Sequence, residues 1–365
     1  MFVQQKSYWR DWAKLSISLL ILFKTILISV IQLQYFFCFK LYASFFLGEG
    51  PKNFQVCCKD FLSFFFFIVF GLWITLRGGE IMVGLLGMEL NSYSYLALLY
   101  FSVDTKESAL KYFFVQVLGS QIFLLGIFLD GPVSYGFIIF SLCLKIGLVP
   151  FHLWIISFIE DLLWENVFLN FRLTKIGPLY IFYILASESD LMFFAVLCTI
   201  VGLAGGLNQL DIRKFMVYSS ISQYGWIFFR GIVGGEYFAV FVLNYNILLF
   251  LLITQINFLG LNSLRINVSL YKKLNLDSFY IYLYNFIGLP PSLSFFLKLV
   301  VISLSLRESL IFGGIFFIFV SVVTLYFYSR LVWEGYVFMG GLTGFSFSYV
   351  FLLLTIRGLF FVLAV

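Results

Sequence analysis

The sequence predicts an all-α protein that crosses a membrane many times. Its residues are 62% apolar and only 11% charged, whereas ordinary soluble domains contain about 25% charged residues. Apolar runs long enough to cross a hydrocarbon layer of roughly 30 Å as a helix recur along nearly the whole chain. Runs such as residues 61–73 (FLSFFFFIVFGLW) lack the alternating polarity of a membrane β-strand. Helices are therefore the predicted spanning elements.

The first apolar segment, residues 15–47, ends at a Gly-Glu-Gly-Pro sequence over residues 48–51, and glycine and proline are typical helix breakers. At 1.5 Å per residue this segment would form about 50 Å of helix, which exceeds the membrane core. It is either one strongly tilted helix or a surface segment followed by a span. We assign residues 1–51 to an N-terminal membrane-associated helical extension, and residues 52–365 to a single transmembrane domain.

Eleven core transmembrane spans are predicted after residue 52. Two of them are predicted to be broken at prolines, one at Pro150 and the other at Pro290 and Pro291. The connections are short except for the polar stretch 262–277. The spans are residues 60–76, 78–101, 107–129, 133–164, 168–187, 190–208, 213–230, 237–261, 278–304, 310–332 and 342–364.

Several functional classes are excluded by what the sequence lacks. The five cysteines have no Cys-x-x-Cys or Cys/His ligand spacing, and a single histidine cannot supply a pair of haem ligands. No Walker or Gly-x-Gly-x-x-Gly pattern follows a strand, so no nucleotide or flavin site is predicted. The net charge of +5 is spread over the loops rather than gathered in a block, which argues against a nucleic-acid partner.

Four ionisable residues lie inside apolar segments: Glu89, Lys145, Lys175 and Lys298. A charge at the centre of a membrane helix costs about 2.5–3.5 kcal/mol even on the lowest insertion scales. Such residues usually face the protein interior and mark ion or proton paths. We expect Glu89 and Lys145 to approach each other, because each alone would be a costly buried charge.

The two proline breaks, near residues 150 and 290, each have a lysine within two helical turns. Paired broken helices in the two halves of a chain indicate an inverted-repeat transporter whose site lies near the bilayer midplane. The alternative is that the prolines are simply common residues of membrane helices. The lysine beside each break favours the transporter interpretation.

Lysine suits a proton relay because burial disfavours its charged form, whereas arginine stays protonated. A carboxylate that moves toward or away from a lysine could therefore control whether the lysine holds its proton. His152, just past Pro150, could pass protons among water, Lys145 and Lys175. Equally, the role of His152 could be purely structural, with a hydrogen bond from its ring holding the broken helix in place.

Two polar motifs have a structural explanation on the sequence alone. Glu107 and Lys111 form an i, i+4 pair at the start of a predicted helix, with the acid on the N-terminal side that the helix dipole favours. Residues 208–214 (NQLDIRK) form a polar turn before the next helix and are expected to be solvated.

Five motifs occur in the order known from one protein family: GMELN at 87–91, ESALKYF at 107–113, KIGLVPFHLW at 145–154, LNQLDIRKFMVYSS at 207–220 followed by Gly225-Trp226, and GLPP at 288–291 with Lys298. They resemble the antiporter-like membrane subunits of respiratory complex I, NADH:ubiquinone oxidoreductase. The stretch 207–220 is similar to the subunit 2 branch of that family. The resemblance covers residues 60 to about 335.

The resemblance implies roles for individual residues. It implies that Glu89 is the helix glutamate that pairs with Lys145, that Lys175 is the central relay lysine, and that Lys298 is the lysine at the outlet end. It also implies the fourteen-helix antiporter fold with inverted repeats, shortened by three helices at its start, which would leave eleven.

The implied function is proton translocation in the membrane arm of NADH:ubiquinone reductase, with no redox centre in this chain. FMN, iron–sulfur clusters and ubiquinone would then belong to other subunits. The expected partners are sister antiporter-like subunits, small membrane subunits and lipids, and the expected location is the mitochondrial inner membrane. A cation/proton antiporter subunit of the same fold is the alternative, although Glu89 is the only carboxylate at depth that we identify. A purely structural membrane subunit would leave the four buried charges unexplained.

The sequence departs from the family pattern at three places. Ile155-Ile-Ser follows Trp154 where the family often has Val-Pro-Glu, and Gln223-Tyr224 stands where the family has His-Met. Ser294 replaces a glycine after the double proline. None of these departures changes the four ionisable positions.

Overall fold

The computed structural model describes residues 54–101, 106–129, 131–160, 162, 164–209, 211–234, 238–259, 282–286, 288 and 292–338. Helices account for nearly all of these residues, so the predicted all-α class is confirmed for the part of the chain described. The predicted extension 1–51, the polar stretch 262–277 and the last predicted span, 342–364, lie outside it.

Twelve α-helices are named within the described ranges. A π-helical turn, Asn170–Thr174, joins the sixth to the seventh, and residues 282–286 are also helical. The helices are α1 Phe54–Arg77, α2 Ile81–Phe101, α3 Lys106–Phe128, α4 Pro132–Ile146, α5 Leu153–Ile159, α6 Trp164–Leu169, α7 Lys175–Leu185, α8 Glu188–Leu207, α9 Ile212–Val233, α10 Phe238–Leu259, α11 Leu293–Arg307 and α12 Ile311–Phe338.

Three helical stretches in the described ranges are both long and apolar enough to cross a membrane, namely Glu107–Phe128, Glu188–Leu207 and Phe238–Asn257. Shorter apolar stretches occur in α1, α4, α7 and α12. The sequence predicts eleven spans, and this number stays a prediction. α9 is one predicted span that does not stand out, because its basic and hydroxyl residues make it polar although its interior is deeply buried.

The chain leaves helical geometry between Ile146 and Leu153, and again at Gly288. α4 ends at Gly147, which adopts the left-handed conformation (φ 74°) that glycine tolerates best. The Gly147 N–H donates to the Cys143 carbonyl at 2.9 Å, and the helix resumes only at Leu153. In the second region Ser292 caps α11, its hydroxyl accepting a hydrogen bond from the Phe295 N–H at 3.3 Å.

The helix that carries Glu89 packs closely against α1 through two glycines. A Cβ atom on Gly71 would lie 2.9 Å from the Gly87 carbonyl oxygen, and one on Gly87 would lie 2.6 Å from Thr75 Cγ2. Small residues allow such close approach between membrane helices. The α1–α2 pair therefore forms a tight unit that fixes the position of α2.

α9 lies at the centre of the described bundle and contacts α5, α8, α10 and α11. It packs most closely on α8, where a Cβ on Gly202 would meet the Ser222 backbone nitrogen at 2.6 Å and one on Gly225 would meet the Ala195 carbonyl at 2.6 Å. A helix buried on nearly all sides belongs to the interior of a bundle. Its polar side chains therefore face protein neighbours.

Candidate functional site

Glu89 on α2 and Lys145 on α4 form a buried ion pair. The Lys145 Nζ donates to Glu89 Oε1 at 2.6 Å. The Lys145 side chain is 1% exposed and that of Glu89 is 15% exposed. The predicted contact between these two residues, 56 positions apart in sequence, is thus confirmed.

The Lys145 side chain is held in place by α3. A Cβ on Gly119 would lie only 2.8 Å from Lys145 Cγ, so the lysine stem runs directly across this glycine. The Gln116 amide Nε2 donates to the Lys145 carbonyl at 3.4 Å. Lys145 also lies in the last turn of α4, where the partial negative charge of the helix end favours a cation.

Lys175 begins α7 directly after the π turn. The turn is supported by Thr174, whose hydroxyl donates to the Asn170 carbonyl at 2.8 Å, and by Asn91, whose amide donates to the Leu173 carbonyl at 3.1 Å. π-Helical turns loosen the helical hydrogen-bond ladder and often occur at functional sites. Asn91 thereby connects the helix of Glu89 to the turn that presents Lys175.

The ammonium group of Lys175 lies among aromatic rings. Its Nζ is 5.2 Å from the Phe171 ring centroid and 5.5 Å from that of Tyr224, at cation–π distance. The residue is 2% exposed, and within the described ranges its Nζ has no hydrogen-bond partner. The Lys175 ammonium group therefore has aromatic faces rather than a carboxylate as its neighbours within the described ranges.

Lys298 on α11 is 6% exposed, and its Nζ lies 5.4 Å from the Trp226 ring centroid. A Cβ on Gly288 would lie 3.3 Å from this Nζ, so the lysine reaches back to the turn before α11. Lys298 is therefore in contact with Gly288, whose φ of 81° lies in the left-handed region.

His152 precedes α5 and is half-buried. Its ring centroid lies 6.2 Å from that of Tyr218 on α9. The expected transfer of protons through His152 among water, Lys145 and Lys175 stays a prediction.

Sequence reasoning predicted α9 as the span 213–230 but missed its contacts with the candidate site residues. Its Tyr218, Tyr224 and Trp226 contact His152, Lys175 and Lys298 respectively. These contacts could have been anticipated from the serines, glutamine and tyrosines at residues 218–224, which are unusual in a predicted membrane span. We interpreted that run only as a family motif.

The polar turn at 208–214 is exposed at Asn208 and Asp211, as expected, and it also makes specific contacts. Lys214 forms an ion pair with Glu160 and lies 3.6 Å from Asp211. The Arg213 guanidinium stacks over the Trp164 ring at 5.4 Å and donates to the Glu160 carbonyl. These contacts connect the start of α9 to Glu160, which follows α5, and to Trp164, which begins α6.

Glu107 and Lys111 on α3 form the expected i, i+4 ion pair, with 3.3 Å between Lys111 Nζ and Glu107 Oε1.

Apolar helices long enough to cross a membrane, with ionisable side chains buried between them, define a helical membrane protein. Residues 132–324 match the family described as NADH:quinone oxidoreductase/Mrp antiporter, transmembrane. The chain belongs to this family, and the resemblance found in the sequence is confirmed.

Similar proteins include the NADH-ubiquinone oxidoreductase chain 2 of Artemia franciscana, which is 30% identical over 259 residues, covering 69% of this chain and 82% of that protein. The chain 2 of Anopheles gambiae is 29% identical over 285 residues, covering 73% of this chain and 83% of that protein.

Solved structures share the fold at lower identity. A chain of respiratory complex I from Thermus thermophilus has a TM-score of 0.66 at 21% identity, covering 74% of this chain and 69% of that one. A chain of the archaeal membrane-bound sulfane sulfur reductase has a TM-score of 0.68 at 20% identity, covering 82% of this chain and 72% of that one. For a chain of the Mrp complex from Dietzia sp. DQ12-45-1b the score is 0.66 at 18% identity, covering 73% of this chain and 58% of that one.

Proposed function

We propose that this chain is a proton-translocating membrane subunit of a respiratory NADH:ubiquinone oxidoreductase. The observation that carries the proposal is the set of buried ionisable groups, in which the Glu89–Lys145 pair is followed by Lys175 and Lys298 on helices around α9. Relatives named NADH-ubiquinone oxidoreductase chain 2 support the assignment to this enzyme. Oxidation of NADH and reduction of quinone would take place in other subunits.

The proposed relay uses Glu89, Lys145, Lys175 and Lys298 as proton carriers. Separation of Glu89 from Lys145 would remove the charge that stabilises the protonated lysine, so that Lys145 can pass a proton on. Lys175, which has aromatic neighbours but no carboxylate among its described contacts, would take the proton next. His152 stays a proposed member of the relay through its contact with Tyr218.

The finer architecture belongs to the same proposal. Residues 52–365 would form one antiporter-like domain of about eleven spans, in which the regions around Pro150 and Pro290 are the matching breaks of two inverted repeats. Residues 1–51 would form an added membrane-associated helix. The protein would lie in the mitochondrial inner membrane beside sister antiporter-like subunits, small membrane subunits and lipids, with FMN, iron–sulfur clusters and ubiquinone held elsewhere in the complex.

Substitution of Lys175 tests the relay. Lys175→Met keeps the length of the side chain but removes the titrating group, and Lys175→Arg keeps the charge but cannot release a proton near neutral pH. We expect both variants to lose proton pumping per NADH oxidised by the assembled complex. Lys111→Met, which removes a partly exposed lysine from an i, i+4 pair, is the control and should pump normally. Normal pumping by either Lys175 variant would contradict the proposal.

A cation/proton antiporter subunit is the second candidate, because the family description includes Mrp antiporters and a chain of an Mrp complex shares the fold. The two candidates differ in the ion that is exchanged. Vesicles that contain the purified complex would acidify on addition of NADH without sodium if the first proposal holds. A strict sodium requirement, with no coupling to NADH, would favour the antiporter.

A further inference from the structure

A small cavity adjoins Lys298 between α9, α10 and α11. Its volume is ≈ 20 Å³, which is enough for about one water molecule. Lys298, Gln223, Asn244, Tyr245 and Ser294 supply its polar lining. A cavity that is roomy enough and has several polar neighbours meets both conditions for holding an ordered water.

Two buried tyrosines flank this region, Tyr224 beside Lys175 and Tyr245 in the cavity lining. Tyr224 is 1% exposed and Tyr245 is 6% exposed, and neither hydroxyl forms a hydrogen bond of normal geometry with any described residue. Ser220 lies one turn before Tyr224 on the same face of α9, and its hydroxyl lies beside both phenol groups. Buried polar atoms in native proteins almost always have a partner, which is often water.

The identity of these side chains is informative because this chain readily uses phenylalanine. It contains 50 phenylalanines, many of which fill its interior. A phenylalanine at position 224 or 245 would supply the same ring without burying a hydroxyl. Burying a hydroxyl without compensation costs about 1–3 kcal/mol by mutational data. The two hydroxyls are therefore best explained by water that solvates them.

The ring of Tyr224 contacts Lys175, and Tyr245 lines the Lys298 cavity. We propose that Tyr224, Ser220 and Tyr245, together with water in the cavity, form a hydroxyl bridge that carries protons between Lys175 and Lys298. The inference rests on the proposed relay and adds the residues that connect its last two lysines.

The transfer leaves the tyrosines unchanged. A proton released by the Lys175 ammonium group binds the oxygen of a water or hydroxyl, which gives its own proton to the next oxygen in the bridge. The last water protonates a neutral Lys298. Lys175 ends as a neutral amine and Lys298 as an ammonium ion, so one proton has moved and no phenolate has formed.

Single-atom deletions test the bridge in the assembled complex. Tyr224→Phe and Tyr245→Phe each remove one hydroxyl and keep the ring, including the ring that faces Lys175. We expect proton pumping per NADH oxidised to fall in both variants to the level of Lys175→Met. Tyr183→Phe is the matched control, because its ring stacks on Phe238 at 4.2 Å between α7 and α10, and it should pump normally.

The outcomes separate the bridge from the relay. If the Tyr224 and Tyr245 variants pump normally while Lys175→Met does not, the bridge is wrong and the relay stands. If Lys175→Met itself pumps normally, the relay is wrong and the bridge with it. An equal loss in Tyr183→Phe would overturn the bridge, because the effect would not depend on position.

A structural measurement keeps the inference testable if a variant assembles poorly. Electron cryomicroscopy of the wild-type complex, at a resolution that shows water, should reveal a water within hydrogen-bond distance of Tyr245 Oη and Lys298 Nζ. A dry cavity would overturn the proposal.

Discussion

Gly119 illustrates how a residue without a side chain controls the geometry of a functional one. The aliphatic stem of Lys145 lies across it, so that the ammonium group reaches Glu89 on the neighbouring helix. Any side chain at position 119 would push against Cγ, and at 3.3 Å also against Cε, of the lysine. Gly119 is therefore a positioning residue for the ion pair.

We predict that Gly119→Ala weakens the Glu89–Lys145 contact and lowers proton pumping several-fold without preventing assembly. Displacing a reacting group by about 1 Å can lower a rate by on the order of a hundredfold, so a partial shift is enough for this effect. Pumping normalised to the amount of assembled complex is the measurement.

Gly136→Ala provides the control for this substitution. Gly136 lies on α4, the helix of Lys145, but a Cβ there would meet no atom within 4 Å. Alanine also favours helix more than glycine does. Equal loss of pumping in both variants would show that Gly119 has no particular relation to Lys145.

At the scale of elements, the π turn before α7 sets the position of Lys175. The turn disturbs the helical ladder around Leu173, and Asn91 satisfies the Leu173 carbonyl from α2. A single amide thus links the helix of the ion pair to the next lysine. Asn91 is itself placed by the close approach of α1, since a Cβ on Gly71 would lie 2.9 Å from its backbone nitrogen.

Asn91→Ala should destabilise the protein by about 1–3 kcal/mol, because the buried Leu173 carbonyl loses its partner. A lower melting temperature of the purified protein in detergent would report this loss. Ser303→Ala, which removes an exposed side-chain hydrogen bond to Val300, should leave the melting temperature nearly unchanged. An Asn91→Ala protein as stable as the wild type would mean that water replaces the amide.

The elements differ in how far the sequence predicts them. The break after Lys145 follows from glycine and proline at 147 and 150, whose backbone preferences are local. The π turn at Asn170–Thr174 has no glycine or proline and depends on tertiary contacts. The proximity of Glu89 and Lys145 was predictable because two unpaired buried charges are costly. The contacts of α9 with Lys175 and Lys298 could not be predicted, because aromatic residues on a buried helix usually indicate packing alone.

On the scale of the whole molecule, the described bundle leaves a large apolar surface. Exposed residues such as Phe66, Phe114, Phe193, Phe312 and Phe319 lie on several different helices. Exposed apolar side chains on many helices are normal for a protein in contact with lipid, and they also suit interfaces with other membrane subunits. The surface therefore fits a protein that is embedded in a membrane and assembled with partners.

We predict that the protein solubilised in mild detergent migrates in a native gel together with NADH-oxidising activity. Immunodetection of this chain and an in-gel stain for NADH oxidation provide the two signals. Migration at the mass of a smaller assembly without this activity would contradict the proposed partners and favour a separate antiporter.

The contacts on α9 also have an electrical consequence. Lys175 and Lys298 touch this helix at Tyr224 and Trp226, two residues and so about 3 Å of axial rise apart. Moving one charge through the full membrane voltage requires about 2.3 kcal/mol per 100 mV. A step of about 3 Å along the α9 axis crosses roughly a tenth of a 30 Å hydrocarbon layer. A proton passed from Lys175 to Lys298 would therefore work against little of the voltage, and most of that work would fall on its uptake and release.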